Sequence, residues 1–266
     1  MKHTFNFFLF FKSVFKTLQY LQELGLSVRK AIISTIEKFH FSSLNSMDFL
    51  NFKQFDGIVP SHNTIDKVIC LSQATRSLLI ADYQLKSEKT TVIYNGLKDE
   101  GRTIAEEERK KMKQSLSFDA EDSIILFVGR LDSIKGVDFL IKAFRRVLDV
   151  YPHARLILAG DGSFNTYLKK CSGIRSQITF TGKVDKEELY QYCRIADVGV
   201  IPSFHEQCSY VGIEMMMHGL PLIGTDSIGL GEMIVDELKV KLDESQEEQL
   251  SVELLTNKII SVLSSP

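Results

Sequence analysis

The sequence predicts an α/β protein built around a parallel sheet with helices on both of its faces. From about residue 67 onward, short apolar runs typical of strands alternate with helical patterns, and the connections between them are short. Several of the runs end in glycine, as central strands of such sheets do. Repeated strand–helix–strand units give parallel strands covered on both faces. Ligands of these sheets bind at the carboxyl ends of the strands.

The first elements that the sequence predicts begin near Lys67. A strand is predicted in KVICLS, a helix over QATRSLLIADY and a second strand in TTVIYNG. The charged segment KDEGRTIAEEERKKMK is predicted to be a linker or a surface helix. The run SIILFV, which ends at Gly129, is predicted to be a central strand. A helix is expected from about Val137 to Tyr151, because its apolar positions keep helical spacing until Pro152 prevents continuation.

The remaining elements keep the same alternation. Strands are predicted in RLILAG, ITFTG, VGVIP and PLIGT. Asp185 and Glu188 predict a cap for a helix over KEELYQYCRIA. A further helix is expected from near Ser209 to Gly219, and it carries the second of two glutamates discussed below.

Bulk properties exclude several classes of protein. The net charge of −2 gives no global basic field, so a nucleic-acid partner is not expected. The four cysteines show no close pairing, which indicates reduced thiols and a cytoplasmic location. The apolar stretch FNFFLFFKSVF is interrupted by Lys12, too early for a membrane span. Two interpretations stay open for it: a helix lying on an anionic membrane surface, or a phenylalanine-rich helix packed on a domain core or a partner.

Two cations lie in the glycine-flanked loop GRLDSIKG, between a predicted strand and a predicted helix. Glycines let the backbone approach an anion closely, and Arg130 and Lys135 together suit a pyrophosphate. The alternative is a pair of solvated loop cations.

The stretch HEQCSYVGIEMMMHGLP places Glu206 in a loop and Glu214 within an apolar segment. If a helix begins near Ser209, free N–H groups at positions 208–211 favour a phosphate at the helix start. The short residues Cys208 and Ser209 leave room for it. Glu214 could then hold the two hydroxyls of a ribose and Glu206 those of a transferred group. A capped helix with two solvated carboxylates is the alternative, weakened by the apolar neighbours of Glu214.

Other chemistries lack a signature. The sequence has no Asp-x-Asp triplet and no histidine cluster near the glutamates, so a metal site is not expected. It has no nucleophile elbow, no dinucleotide-binding fingerprint and no P-loop pattern. His205 and His218, which flank the glutamates, are interpreted as structural residues.

Five segments together resemble retaining glycosyltransferases of family 4, the group 1 glycosyl transferases. They are, in order, FVGRLDSIKGVDFLIKAF, LILAGDG, ITFTGKV, ADVGVIPSFHEQCSYVGIEMMMHGLPLIGTD and GLGEMI, and VIYNGL resembles the family's interdomain junction. The resemblance covers about residues 67–234. It implies a GT-B fold of two facing Rossmann-like halves, with a nucleotide-sugar such as a UDP- or GDP-sugar held by the C-terminal half. It also implies a saccharide or lipid-linked saccharide acceptor and no metal cofactor.

The resemblance assigns roles to individual residues. Arg130 and Lys135 match the diphosphate-binding pair, Glu206 matches the carboxylate near the transferred sugar, and these three are the expected catalytic residues. Glu214 matches the carboxylate on the ribose. The expected donor-binding set is Gly129, Arg130, Lys135, Lys183, Val184, Cys208, Ser209, Tyr210 and Glu214. Gln207-Cys208-Ser209 replaces the Gly-Phe-Gly of many members, which leaves the donor sugar open.

The expected division is an incomplete N-terminal, acceptor-side region over residues 1–96 and a donor domain over residues 97–266. Three hypotheses follow from the short first region. The chain is a glycosyltransferase, active in polysaccharide or glycoconjugate synthesis; or a sugar-nucleotide-binding fragment that needs a partner; or a related GT-B sugar-nucleotide epimerase.

Overall fold

A computed structural model describes residues 31–33, 67–242 and 248–265 of the chain. Contacts divide the chain into two units, Met1–Tyr94 and Asn95–Pro266. The phenylalanine-rich segment lies outside the described residues, and so do both interpretations of it. Among the residues described, no helix is both long and apolar enough to cross a membrane.

The first unit contains a small parallel sheet. Its strands are β1 (Ala31–Ile33), β2 (Lys67–Cys70) and β3 (Thr90–Val92), in that spatial order. Helix α1 (Gln73–Tyr83) connects β2 to β3, as the sequence predicts. The hydroxyl of Ser72 caps this helix by accepting a hydrogen bond from Thr75 N at 3.0 Å, a typical N-cap contact.

The second unit is a six-stranded parallel sheet. Its strands are β4 (Ser123–Val128), β5 (Ala154–Ala159), β6 (Ile178–Gly182), β7 (Val198–Ile201), β8 (Leu222–Thr225) and β9 (Lys239–Val240). The spatial order is β6-β5-β4-β7-β8-β9, the doubly wound order of Rossmann-like sheets. The strand order reverses at β4: β5 and β6 follow on one side of it, and β7, β8 and β9 lie on the other side. The chain after β4 and after β7 therefore leads to helices on opposite faces of the sheet, which leaves a crevice beside the carboxyl ends of these two strands.

The helices of the second unit cover both faces of this sheet. They are α2 (Glu106–Ser115), α3 (Val137–Val147), α4 (Phe164–Lys170), α5 (Lys186–Ile195), α6 (Tyr210–Met217), α7 (Leu230–Met233) and α8 (Glu248–Leu263). Ile125 and Phe127 of β4 pack in a core with α3 and α8. Ile124 and Leu126 pack on the opposite side with α5 and α6. Successive side chains of a strand point to opposite faces, so a continuous apolar run such as SIILFV indicates burial on both.

Four helices differ from the prediction: α3 is shorter than expected, and α4, α7 and α8 were not predicted. Helix α3 ends at Val147 and not near Tyr151, because the amides of Val150 and Tyr151 both bond to the Val147 carbonyl and close a turn, at 3.0 and 2.8 Å. Leu148 and Tyr151 still pack against the core, which explains why the apolar spacing continued. Helix α8 was not predicted. It packs on α3 and buries Val252, Leu255 and Ile259.

Candidate active site

The loops that follow β4 and β7 lie in direct contact at the switch point. Phe204 N donates to Ile134 O at 2.9 Å. Gly136, which precedes α3, has a φ of 69°, and a Cβ there would lie 1.9 Å from Pro202 O. A side chain at this position would thus meet rigid backbone, which only glycine avoids. The two segments that carry the predicted cations and the first predicted glutamate are held together.

The predicted catalytic pair Lys135 and Glu206 meets in this crevice. Lys135 Nζ lies 2.7 Å from Glu206 Oε2, and the two side chains are 19% and 9% exposed. Asp132 shapes the loop, because its Oδ1 accepts the Lys135 backbone N–H at 3.0 Å. A cation and a carboxylate separated by 71 positions therefore form one largely desolvated ion pair, in which each charge has a partner.

Arg130 lies on the same loop but is oriented differently. Its side chain is 70% exposed, with Nη2 3.2 Å from Asp132 Oδ2. The preceding Gly129 continues the strand ladder by donating to Ala159 O at 2.9 Å. No direct contact joins Arg130 to Lys135 or to either glutamate among the described residues. Its guanidinium lies at the surface, on an exposed and weakly held ion pair.

Helix α6 begins beside Glu206 and presents part of its amino end. Ser209 is the N-cap, and its hydroxyl accepts Gly212 N at 3.2 Å. Its own N–H donates to Met233 Sδ at 3.3 Å, so this donor is occupied, unlike the prediction of free donors over positions 208–211. The N–H groups of Tyr210 and Val211 have no acceptor within the described ranges. They are the donors of this helix start that remain for an anion.

Cys208 and the neighbouring backbone are buried and fixed. Cys208 is 6% exposed, and its carbonyl accepts Asn95 Nδ2 at 3.0 Å. Gly229 pairs with Glu206 through a parallel bridge, and a Cβ at Gly229 would lie 1.7 Å from Gln207 O. Residues Asn95 and Gly229 therefore position the loop, although the sequence pattern gave them no role. Gly229 is the first residue of the motif GLGEMI, so the motif could have pointed to it.

Glu214 lies half-buried on α6 and faces helix α5. Burial raises the pKa of its carboxyl above the ordinary value, and the nearby Lys186 partly opposes this by favouring the charged form. Glu214 also contributes to raising the pKa of the buried Cys193 thiol to about 12, after burial itself. No hydrogen-bond donor to the Glu214 carboxylate is found in the described part of the chain. A half-buried carboxylate without a donor is suited to accept hydroxyl groups of a ligand.

The remaining predicted residues lie at the end of β6. Gly182 has a φ of 72°, Lys183 is exposed, and Val184 is partly buried against the core beside α5. Lys186, the electrostatic neighbour of Glu214, begins the helix that follows them. The carboxyl ends of β4, β6 and β7 thus carry all the predicted residues. The residues in direct contact are Lys135 and Glu206, while Arg130 and Glu214 lie apart from that pair.

His205 lies beside the ion pair, a placement that sequence reasoning did not assign. Burial and the charge of Lys135 lower the pKa of its imidazole. Two buried polar atoms of this loop, Ser203 Oγ and Gln207 Oε1, have no hydrogen-bond partner within residues 31–33, 67–242 and 248–265. Among the described residues, no group of three or more His, Cys, Asp or Glu side chains is arranged to hold a metal.

Comparison with known proteins assigns the family. A family model described as "Glycosyl transferases group 1" matches residues 122–264 of the chain. The chain belongs to the group 1 glycosyl transferase family. Every predicted site residue from Gly129 to Glu214 lies within the matched residues. This confirms the resemblance of the motifs, and it places the Lys135–Glu206 pair in the domain that defines the group 1 family.

Curated relatives of this group 1 chain are longer proteins. An uncharacterised glycosyltransferase of Methanocaldococcus jannaschii is 32% identical over 177 residues, which are 65% of this chain and 45% of that protein. The alpha-monoglucosyldiacylglycerol synthase of Streptococcus pneumoniae is 29% identical over 180 residues, 65% of this chain and 40% of that protein. The chain spans less than half the length of these two relatives.

Solved structures show the same fold. The Anabaena protein HepE in complex with UDP-glucose superposes with a TM-score of 0.62 at 25% identity, covering 75% of this chain and 54% of that one. A glycosyltransferase from Rickettsia africae superposes with a TM-score of 0.66 at 17% identity, covering 99% of this chain and 73% of that one. The fold class predicted for this group 1 chain, a parallel sheet flanked by helices, is confirmed.

Proposed function

We propose that this chain carries the donor half of a retaining glycosyltransferase, which transfers a sugar from a nucleotide-sugar to a saccharide or lipid-linked saccharide acceptor. The observation that supports this most strongly is the Lys135–Glu206 ion pair at the switch point of the sheet. A cation and a carboxylate meet there, and the helix that begins just after Glu206 has two N–H groups with no acceptor among the described residues. A diphosphate joined to a sugar offers the negative charge that a cation attracts and the hydroxyl groups from which a carboxylate accepts hydrogen bonds.

The chemistry follows from the charges. In the transfer, the bond from the sugar's anomeric carbon to the phosphate oxygen breaks. The oxygen of an acceptor hydroxyl would form the new bond on the same face, and its proton would pass to the departing diphosphate. The electron pair of the broken bond stays on the leaving diphosphate. Lys135, the exposed Arg130 and the start of α6 would stabilise that charge, while Glu206 would hold sugar hydroxyls. Fixed donors at a developing charge supply much of many enzymes' rate enhancement. Since Lys135, Arg130 and the start of α6 offer positive charge for the leaving group, we propose transfer without a metal cofactor.

The nucleoside would lie along α5 and α6. Glu214 offers acceptor oxygens for two vicinal ribose hydroxyls, and the segment of Lys183 and Val184 borders the place of the base. HepE was solved with UDP-glucose, which makes UDP-sugars the first donors to test. The acceptor sugar or lipid-linked sugar would be bound by the other half of the protein. Polysaccharide or glycoconjugate synthesis is the process that we propose.

The first prediction concerns nucleotide binding. We expect one nucleotide among UDP, GDP, ADP and their sugars to raise the melting temperature of the protein, because a ligand that binds the folded state alone stabilises it. A free-energy gain of about 1 kcal/mol corresponds to about 2–4 °C for a domain of this size. Differential scanning fluorimetry on the wild-type chain measures it. An unchanged melting temperature across the whole panel would contradict an intact donor site.

The second prediction concerns pH. The raised pKa of Glu214 means that its carboxylate takes up a proton above the usual acidic range. A protonated carboxyl loses acceptor capacity for ribose hydroxyls, so nucleotide affinity should weaken as the pH falls from neutral towards the raised pKa of Glu214. The substitution Glu214→Gln should weaken binding at neutral pH and flatten this dependence. Titration calorimetry across this range of pH measures the effect, and an equally steep dependence in the variant would exclude Glu214 as its source.

Product analysis separates the activities. A labelled donor incubated with the chain and candidate acceptors should yield a glycosylated acceptor and a nucleoside diphosphate. Binding without turnover would favour a fragment that requires a partner chain. An epimerised nucleotide-sugar without transfer would favour the epimerase.

A further inference from the structure

A second cavity lies at the opposite end of the sheet from the candidate active site. Its volume is about 240 Å³. Its polar lining comprises Arg102, Thr103, Arg109, Arg194, Asp197 and His218. Asp197 directly precedes β7, and the cavity also reaches Pro221, which directly precedes β8, so it opens at the amino ends of these strands. Strand β7 has four residues, which separates the two sites by about 13 Å at ~3.3 Å per residue.

Two buried nitrogen atoms of this cavity have no hydrogen-bond partner in the part of the chain that the structure describes. They are Nε of Arg194 and Nε2 of His218. His218 is 5% exposed, and its ring packs 4.4 Å from that of Tyr190. Its Nδ1 lies 2.9 Å from the carbonyl of Glu214, which can only accept, so Nδ1 carries the proton. In the tautomer that this contact selects, Nε2 is an acceptor, and it has no donor among the described residues. Buried polar groups are rarely left unpaired, so this pair indicates a missing partner.

The charges of the cavity favour an anion. Arg109 is neutralised by Asp197 at 2.6 Å, and Arg102 pairs with Glu108 at 2.9 Å. Arg194 has no acidic partner among the residues that the structure describes. Arg194 is therefore the lining guanidinium whose charge no described carboxylate offsets, and it makes this wall of the cavity positive. Guanidinium groups match phosphate oxygens through planar, paired hydrogen bonds.

We propose that this cavity binds a small phosphate ester that also bears hydroxyl groups, at a site separate from the donor crevice. The phosphate would accept hydrogen bonds from the guanidinium of Arg194 and attract that of the exposed Arg102. A hydroxyl would donate to His218 Nε2. The volume lies below the range of about 300–1,000 Å³ typical of pockets for drug-sized ligands, which favours a molecule the size of a sugar phosphate.

The test uses glucose 6-phosphate and inorganic phosphate as probes on the full chain. We expect glucose 6-phosphate to raise the melting temperature by about 3 °C or more at saturation, and inorganic phosphate to raise it less. The shift should persist in Lys135→Ala, which disables the donor crevice, and should be lost in Arg194→Gln. Nucleotide binding should be unchanged in Arg194→Gln, because this residue lies outside the crevice.

A competition in the wild-type chain does not depend on how a variant folds. Glucose 6-phosphate should still bind by titration calorimetry when a nucleotide saturates the crevice, with its Kd changed less than about tenfold. Three results would overturn the proposal: full competition with the nucleotide, loss of the shift in Lys135→Ala with retention in Arg194→Gln, or the absence of any binding at millimolar probe. The last would mean that water alone satisfies the two nitrogen atoms.

Discussion

Replacing Lys135 with alanine is expected to slow sugar transfer by about two to three decades, the loss typical of removing one well-placed donor to a developing negative charge. In the free protein Lys135 Nζ holds Glu206 at 2.7 Å in a largely buried setting. The substitution removes the cation that would meet the diphosphate and leaves the carboxylate without its partner. Initial rates with the donor found by the binding panel measure the effect on kcat/KM.

A matched control is available on the adjoining helix. Lys142, on α3, pairs with Glu248 and is 49% exposed. Lys142→Ala removes the same charge outside the crevice and should leave the rate unchanged, since exposed ion pairs contribute little. Arg130→Ala should give a comparable loss of two to three decades if its exposed guanidinium moves onto the bound diphosphate. Near-wild-type rates for both Lys135→Ala and Arg130→Ala would refute the catalytic assignments.

Replacing Gly136 with alanine is expected to destabilise the second unit by about 3 kcal/mol. A left-handed backbone costs a residue with a Cβ about 1–2 kcal/mol, and forced close contacts in a packed site add about 1–3 kcal/mol. The new Cβ would lie 1.9 Å from the carbonyl oxygen of Pro202, on the loop that carries Glu206. Thermal unfolding should show a melting temperature lowered by about 6–12 °C.

Gly182 supplies the comparison that separates strain from collision. Its φ of 72° nearly equals the 69° of Gly136, but no atom lies within 4 Å of a Cβ built there. Gly182→Ala should therefore cost only the backbone term, about 1 kcal/mol, or about 2–4 °C. Equal melting temperatures for the two variants would show that the β4 and β7 loops are not in the contact described here.

Much of the fold was accessible from the sequence because its strands are buried on both faces. A run such as SIILFV is apolar at every core position, and its length limits it to a strand. The predicted cap Asp185 and the helix start expected near Ser209 are confirmed, since both side chains accept hydrogen bonds from backbone N–H groups three residues on. Helix α8 was missed although it buries three apolar side chains. Its partner surface on α3 exists only after the chain has folded.

The sequence also indicated which kinds of side chain form the candidate site. Glycine-flanked cations and a pair of glutamates indicated an anion joined to hydroxyls, and family membership agrees with this chemistry. The local pattern could not show which N–H groups at the start of α6 already have an acceptor. Ser209 N donates to the sulfur of Met233, which lies 24 positions away. Nor could it reveal Asn95 under Cys208, at a separation of 113 positions.

By itself, the sequence determined the alternation of strands and helices, the parallel sheet, and which loops carry cations and carboxylates, because periodicity and capping are properties of neighbouring residues. The tertiary structure decided that Lys135 touches Glu206, that Arg130 faces solvent, and that Glu214 faces α5 with a raised pKa. Those outcomes depend on strand order, which brings β4 beside β7, and on burial, which fixes the electrostatic environment of each charge.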